Sequence, residues 1–235
     1  MNIVLLHPED WTSTSQVRLT DHRAEHLRRI LGVSPGDHVR VGLVNGDAGI
    51  GTVVTQDTDA VTLEVILTAP AGERHPFDLV VALPRPKMLR RVLRTVAEFG
   101  VANLHLIHSY RVEKSYWQSP LVSQPRIEAA LLAGMERSAD TRMPSVQLHH
   151  RFRPFIEDVL PEIAEGRRCV IAHPGSTMPL KGISGPGVVL IGPEGGFIPF
   201  ELELASDNGA EPVSIGERIL SVDTAVTAAL ALGAA

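Results

Sequence analysis

The sequence predicts an α/β protein that opens with a small β-barrel. Three observations carry this reading. From residue 78 onward, short apolar strands alternate with segments of helical periodicity. Residues 1–70 instead hold short strands separated by turn signals. Between them, residues 69–73 (Ala-Pro-Ala-Gly-Glu) form a linker, which places one domain at 1–70 and a second at 74–235.

In the first domain a helix is expected over residues 21–31, ending at Gly32. A strand follows at residues 39–44, then the turn signal Asn45-Gly46-Asp47, then strands at 51–55 and 61–67. Short strands with Gly-rich turns suggest a small barrel. In the second domain residues 79–83 form an apolar strand. Met88, Leu89, Val92, Leu93, Val96, Ala97 and Phe99 then recur at helical spacing, and Gly100 closes that helix. Strands are expected at 101–107, near 146, and at 169–172, 188–191 and 212–215. Helices are expected at 125–137, 154–164, 199–208 and 223–232. Apolar strands alternating with helices imply a mostly parallel sheet.

Composition narrows the classes. The 235 residues are 44% hydrophobic and 21% charged, which excludes disorder, collagen and coiled coil. No apolar run reaches the roughly 18 residues of a membrane span, and the N-terminus does not read as a signal peptide, so a soluble cytoplasmic protein is expected. The single cysteine, Cys169, excludes an internal disulfide framework and a multi-Cys zinc site. Charge is unevenly placed. Residues 1–73 carry 5 Lys/Arg against 10 Asp/Glu, residues 74–153 carry 13 against 6, and residues 154–235 carry 4 against 11. A basic block on an acidic chain points to an anionic partner, although solvated helix faces would look the same.

Several motifs fail on context. Gly32-Val33-Ser34-Pro35-Gly36 matches the hydrolase G-x-S-x-G pattern, but Pro35 has no N–H to offer an oxyanion. His105 and His108 would lie on opposite faces of a strand, and His149-His150 are adjacent, so no metal site is expected. No Walker A or G-x-G-x-x-G segment is present.

The last quarter is the most informative. Gly192-Pro193-Glu194-Gly195-Gly196-Phe197 follows an apolar strand, at the carboxyl end where open α/β sheets bind ligands. A second loop, Ile215-Gly216-Glu217-Arg218-Ile219-Leu220-Ser221, leads into the final helix. The two loops would share one pocket in which backbone groups read a flat heteroaromatic ring between apolar side chains.

These two loops, with Glu201 and Thr224-Ala225, resemble the C-terminal signature of the RsmE-type ribosomal RNA methyltransferases of the SPOUT superfamily. The resemblance continues upstream through His26-Leu27-Arg28-Arg29-Ile30-Leu31 with Pro35-Gly36-Asp37, through Glu98-Phe99-Gly100-Val101, and through Glu136-Arg137-Ser138 with Pro144. It implies a trefoil-knotted methyltransferase domain behind a PUA-like barrel, and methylation of uracil N3 in small-subunit ribosomal RNA. Ser221, Val222 and Asp223 stand where the family usually has Arg, Thr and Glu. Asp140 and Thr95 replace a usual Arg and Lys.

The resemblance further implies S-adenosylmethionine, bound by Leu190, Ile191, Gly192, Pro193, Gly195, Gly196, Ile215, Gly216, Ile219, Leu220, Thr224 and Ala225. Transfer to uracil N3 needs a group to take or share its proton, or a cation to stabilise the resulting anion. Glu194 and Asp223 are the acidic candidates and Arg218 the cationic one. Arg28, Arg29, Arg85, Lys87, Arg90, Arg91, Arg111, Lys114 and Arg142 are candidates for RNA phosphates. A homodimer is expected, because the terminal helix after Asp223 is uncharged and small. Two alternatives share this fold: a methyltransferase with another RNA target, and a non-catalytic ribosome-assembly protein.

Overall fold

The computed structural model describes residues 1–183 and 185–233. The chain divides into two compact units. One comprises Met1–Glu73 with Met135–Met143; the other comprises Arg74–Gly134 and the chain from Pro144 onward.

The first unit is a five-stranded sheet in the order β1-β3-β4-β5-β2. Its strands are β1 (Val4–Leu6), β2 (Gln16–Leu19), β3 (His38–Leu43), β4 (Ala48–Gln56) and β5 (Val61–Ala69). β1 runs parallel to β3, and the other pairs are antiparallel. Helix α1 (His22–Glu25) starts where the Asp21 carboxylate accepts the Arg23 amide at 2.9 Å. It continues as a wider π turn over His26–Leu31. The core gathers Leu6, Val17, Leu19, Leu27, Val41, Val61 and Leu63. Within it Arg23 is buried but paired, with Nη1 and Nη2 each 2.7 Å from the Asp10 carboxylate and Nη1 also donating to the Leu5 carbonyl. Residues 135–143 dock onto this sheet through main-chain bonds: Asn2 N–H to Glu136 at 2.8 Å and Asn45 N–H to Thr141 at 2.7 Å.

The second unit is a six-stranded sheet in the order β11-β9-β10-β6-β7-β8, parallel throughout. Its strands are β6 (Phe77–Ala82), β7 (Asn103–Ile107), β8 (Ser145–His149), β9 (Arg168–Ala172), β10 (Gly187–Ile191) and β11 (Glu211–Val213). β6 and β10 are buried at every residue, as central parallel strands covered on both faces must be. Helix α2 (Pro86–Glu98) buries Leu89, Val92, Leu93, Val96 and Ala97, a single apolar stripe at helical spacing. Gly100, at φ 68°, follows its end. The other helices are α3 (Gln124–Ser138), whose residues from Met135 on belong to the first unit, α4 (Phe152–Pro154) running through a π turn into α5 (Leu160–Ile163), α6 (Pro199–Asp207) and α7 (Val222–Gly233). α7 packs on α2 and beside β10. At the amino end of β6, buried Asp78 is held by Arg167 at 2.8 Å and by the Asn103 amide at 3.0 Å.

The strand order places the carboxyl ends of β9, β10 and β11 side by side at one edge of the sheet. Three loops converge there. No helix among the described residues is long and apolar enough to cross a membrane.

Candidate functional site

After Ile191 the chain leaves β10 and makes a tight turn, with Gly196 N–H donating to the Pro193 carbonyl at 2.8 Å. Gly196 sits at φ 72°, in the left-handed region that a Cβ disfavours. At Gly192 the requirement is space: a Cβ there would stand 3.1 Å from the Phe197 ring. Phe197 is buried and packs against Phe152 at a centroid distance of 5.8 Å. Glu201 closes the far side of the loop, its Oε2 accepting the Ile198 amide at 3.0 Å. The second loop, after β11, is shaped by Ser214, whose Oγ accepts the Gly216 amide at 3.2 Å and donates to the Gly216 carbonyl at 3.0 Å.

The loops enclose a cavity of about 310 Å³. Its wall holds Ile191, Gly192, Pro193, Glu194, Gly195, Gly196, Ile215, Gly216, Arg218, Ile219, Leu220 and Ala225 from among the residues expected at the site. Leu190, Thr224 and Asp223 do not line it. Leu190 lies within the sheet, in register with Val80 and Ile171. Thr224 and Asp223 lie in the first turn of α7, where both meet Ser221: its Oγ is 2.9 Å from Thr224 Oγ1 and 2.6 Å from Asp223 Oδ1.

Sequence reasoning missed several wall residues. Ala172 ends β9, His173 and Pro174 begin the β9–β10 connection, and Val222 joins Phe197 of the glycine-rich loop to complete the apolar lining. The placement of residues 172–174 depends on sheet order, so no local signal marks them. Arg111, expected at RNA phosphates, lines the cavity and donates through Nη1 to the Gly195 carbonyl.

The charges near the cavity are organised by α2. Glu194 Oε1 accepts the Arg85 amide at 3.2 Å and lies 3.8 Å from the Arg85 guanidinium. Asp223 Oδ2 lies 3.3 Å from Arg91. The Ser221 hydroxyl, followed by Arg91, holds the Asp223 carboxyl below the usual carboxylate range. Of the other basic candidates, Arg28 donates to the Thr58 carbonyl and Arg29 pairs with Glu25 at 2.9 Å. Lys87, Arg90 and Lys114 are exposed and have no ion pair among the described residues. Arg142 is exposed as well. His105 is buried on β7, with Nδ1 3.2 Å from His149 Nε2, and burial pushes its pKa down to about 4. Burial pushes the Cys169 thiol up to about 12, which leaves it inert as a nucleophile.

The family described as RNA methyltransferase domain matches residues 72–233. The chain belongs to that family. The RNA methyltransferase domain thus includes all the strands of the parallel sheet and the whole cavity wall. Among curated relatives, ribosomal RNA small subunit methyltransferase E of Treponema pallidum is 28% identical over 99% of this chain and 90% of its own length. The protein of the same name from Synechocystis is 29% identical over 92% of this chain and 71% of its own. Among solved structures, ribosomal RNA small subunit methyltransferase E of Neisseria gonorrhoeae, bound to S-adenosyl methionine, superposes with a TM-score of 0.78 at 23% identity, covering 98% of this chain and 95% of that one. A putative methyltransferase of Legionella pneumophila in complex with SAM gives 0.73 at 20% identity, over 98% and 95% of the two chains. The fold of the RNA methyltransferase domain is therefore shared by proteins crystallised with that cofactor.

Proposed function

We propose that the protein transfers a methyl group from S-adenosylmethionine to N3 of a uridine in small-subunit ribosomal RNA. The observation that carries this is the cavity at the carboxyl ends of β9 and β10, walled by both glycine-containing loops of a chain in the RNA methyltransferase domain family. The cavity suits the cofactor. A Cβ at Gly216 would have nothing within 4 Å, so at this position the main chain borders open space rather than a neighbouring side chain. Ile191, Ile215, Leu220 and Phe197 supply apolar faces for an adenine ring, and loop backbone groups supply its polar partners.

Bound S-adenosylmethionine supplies an electrophilic methyl group on a sulfonium. The side chains of this protein have to position the base and manage its N3 proton. Glu194 lines the cavity, and the Arg85 amide orients its carboxylate, which suits it to accept that proton. Arg218, also on the wall and exposed, is placed to stabilise charge that develops on the uracil carbonyl oxygens. Asp223 lies off the wall and is held as the anion by Ser221 and Arg91, so its part is to anchor the start of α7.

We further propose that the second unit is knotted and that the first is PUA-like. Support for the knot comes from Ser214. Its N–H donates to the Met178 carbonyl at 2.7 Å and its carbonyl accepts the Leu180 amide at 2.8 Å, while the preceding β11 pairs with β9. The chain thus runs between β9 and the β9–β10 connection before α7 returns to α2 and β10. Lys87, Arg90 and Lys114 are proposed phosphate contacts, and the exposed face of α7 at Thr224, Thr227 and Ala231 a homodimer contact.

The test is calorimetry with S-adenosylmethionine, then methyl transfer to small-subunit ribosomal RNA with mass mapping of the product nucleoside. Binding and a 3-methyluridine product are expected. No cofactor binding at millimolar concentration, or a methyl group on another atom, overturns the assignment.

A further inference from the structure

The turn Ser109–Val112 leads from β7 toward the 3-10 segment Lys114–Gln118. It is closed by the Val112 amide donating to the Ser109 carbonyl at 2.9 Å. Ser109 and Val112 are buried, and the two central residues, Tyr110 and Arg111, are exposed. The turn is pinned at three further points. His108 N–H donates to the His149 carbonyl at 2.8 Å, Tyr110 N–H donates to Glu201 Oε1 at 2.8 Å, and the Arg111 guanidinium donates to the Gly195 carbonyl. Glu201 is 3% exposed and also holds the Ile198 amide, so the turn and the glycine-rich loop share one anchor.

Arg111 therefore reaches into the cavity wall, while Tyr110 is left 78% exposed. The Tyr110 ring has no aromatic neighbour and its hydroxyl no hydrogen bond among the described residues. It contributes little to folding, yet its backbone is fixed, so only its side-chain rotamers remain to be ordered on binding. Two cations flank it in sequence, Arg111 next to it and Lys114 four residues on, while the Glu113 carboxylate is engaged by the Tyr116 hydroxyl at 3.1 Å. An exposed aromatic ring on a fixed backbone, with cationic side chains next to it at the edge of a cavity, is the arrangement that binds unpaired nucleotides by stacking on the base and attracting the phosphate.

We propose that Tyr110 is a stacking platform for an unpaired base of the RNA substrate, presented beside the cavity by a turn that Glu201 and Arg111 lock to the glycine-rich loop. The proposal rests on the RNA methyltransferase reading above. It assigns Tyr110 to the RNA and not to the cofactor.

The experiment compares the full-length protein with Tyr110→Ala and Tyr110→Phe, reading affinity for a small-subunit ribosomal RNA fragment and, separately, for S-adenosylmethionine. Stacking on one base predicts roughly 5- to 150-fold weaker RNA binding for Tyr110→Ala. Tyr110→Phe should retain near-native RNA binding, and both variants should bind cofactor as the native protein does. A fragment carrying 5-iodouridine should cross-link to Tyr110 on irradiation. Unchanged RNA affinity in Tyr110→Ala overturns the proposal while leaving the methyltransferase reading intact. An equal loss of cofactor binding, or dissociation of an oligomer in Tyr110→Ala, also overturns it. Failure of the native protein to bind cofactor or RNA removes the reading beneath it as well.

Discussion

The Glu201 carboxylate joins two loops that are about ninety residues apart in sequence, accepting the Tyr110 amide at 2.8 Å on Oε1 and the Ile198 amide at 3.0 Å on Oε2. Both oxygens are in use and the side chain is 3% exposed, so neither bond is replaced by water when it is lost. Glu201→Gln leaves one acceptor and turns an NH2 toward a backbone N–H. The variant should lose about 1–3 kcal/mol of stability. Urea denaturation measures that loss, and calorimetry should show weaker cofactor binding, because the glycine-rich loop is released with the turn.

Gly216→Val tests the cavity directly. A Cβ at Gly216 meets nothing within 4 Å, so the fold should tolerate the branched side chain while the cavity is filled. Cofactor affinity should fall at least tenfold with an unchanged unfolding midpoint. Gly195→Val is a less clean probe, because its Cβ would stand 2.9 Å from Arg111 Cδ and displace that side chain.

Lys87 and Arg90 lie exposed on α2 without an ion pair, whereas the neighbouring Arg91 pairs with Asp223 at 3.3 Å. Replacing Lys87 and Arg90 together with Ala should reduce the salt slope of RNA binding by roughly one to two. Cofactor affinity should stay at the native value. An unchanged slope in a titration over salt would return both residues to the role of solvated surface charge.

The expected two-fold contact is best tested at Ala231. Ala229 is fully buried within its own unit, so an arginine there would disrupt the fold, while Ala231 is exposed. Ala231→Arg should sediment with the mass of one chain and the native protein with twice that mass. A native protein that sediments as a single chain would exclude the contact.

The His105–His149 pair makes stability depend on pH. Burial pushes the His105 imidazole down to about 4, against about 6.5 in an unfolded chain. Between those values the unfolded chain binds the extra proton. Stability is therefore full above about pH 6.5 and falls as pH drops toward 4, by at most about 1.4 kcal/mol per pH unit for one group. Denaturant midpoints measured across this range should show the slope, and His105→Phe should reduce it.

The second unit was readable because its central strands, β6 and β10, are buried at every residue and nearly all apolar, and α2 carries a single apolar stripe. The glycine-rich loops stood out because Gly and Pro crowd the end of a strand. The first unit was harder to read. β1 is three residues long and finds its partner, β3, more than thirty residues later. β2 has no periodicity beyond four residues. The docking of residues 135–143 beside β1 follows from main-chain bonds that composition does not record. At the site, Arg111 and His173 reach the cavity only because β7 and β9 flank the two central strands, β6 and β10.

Ser214, held between β9 and the 178–180 stretch, has a consequence for the order of events during synthesis. The cavity wall is drawn almost entirely from residues 172–225, and these segments meet only across a parallel sheet in which β9 pairs both with β10 and, past it, with the later β11. Contacts of that kind form late and slowly. A nascent chain with its first 170 residues outside the ribosome already has the basic surface of α2 but no pocket. Affinity for RNA would thus precede the capacity to bind the methyl donor, and methylation begins only with chains whose final strand and helix have completed the cavity wall.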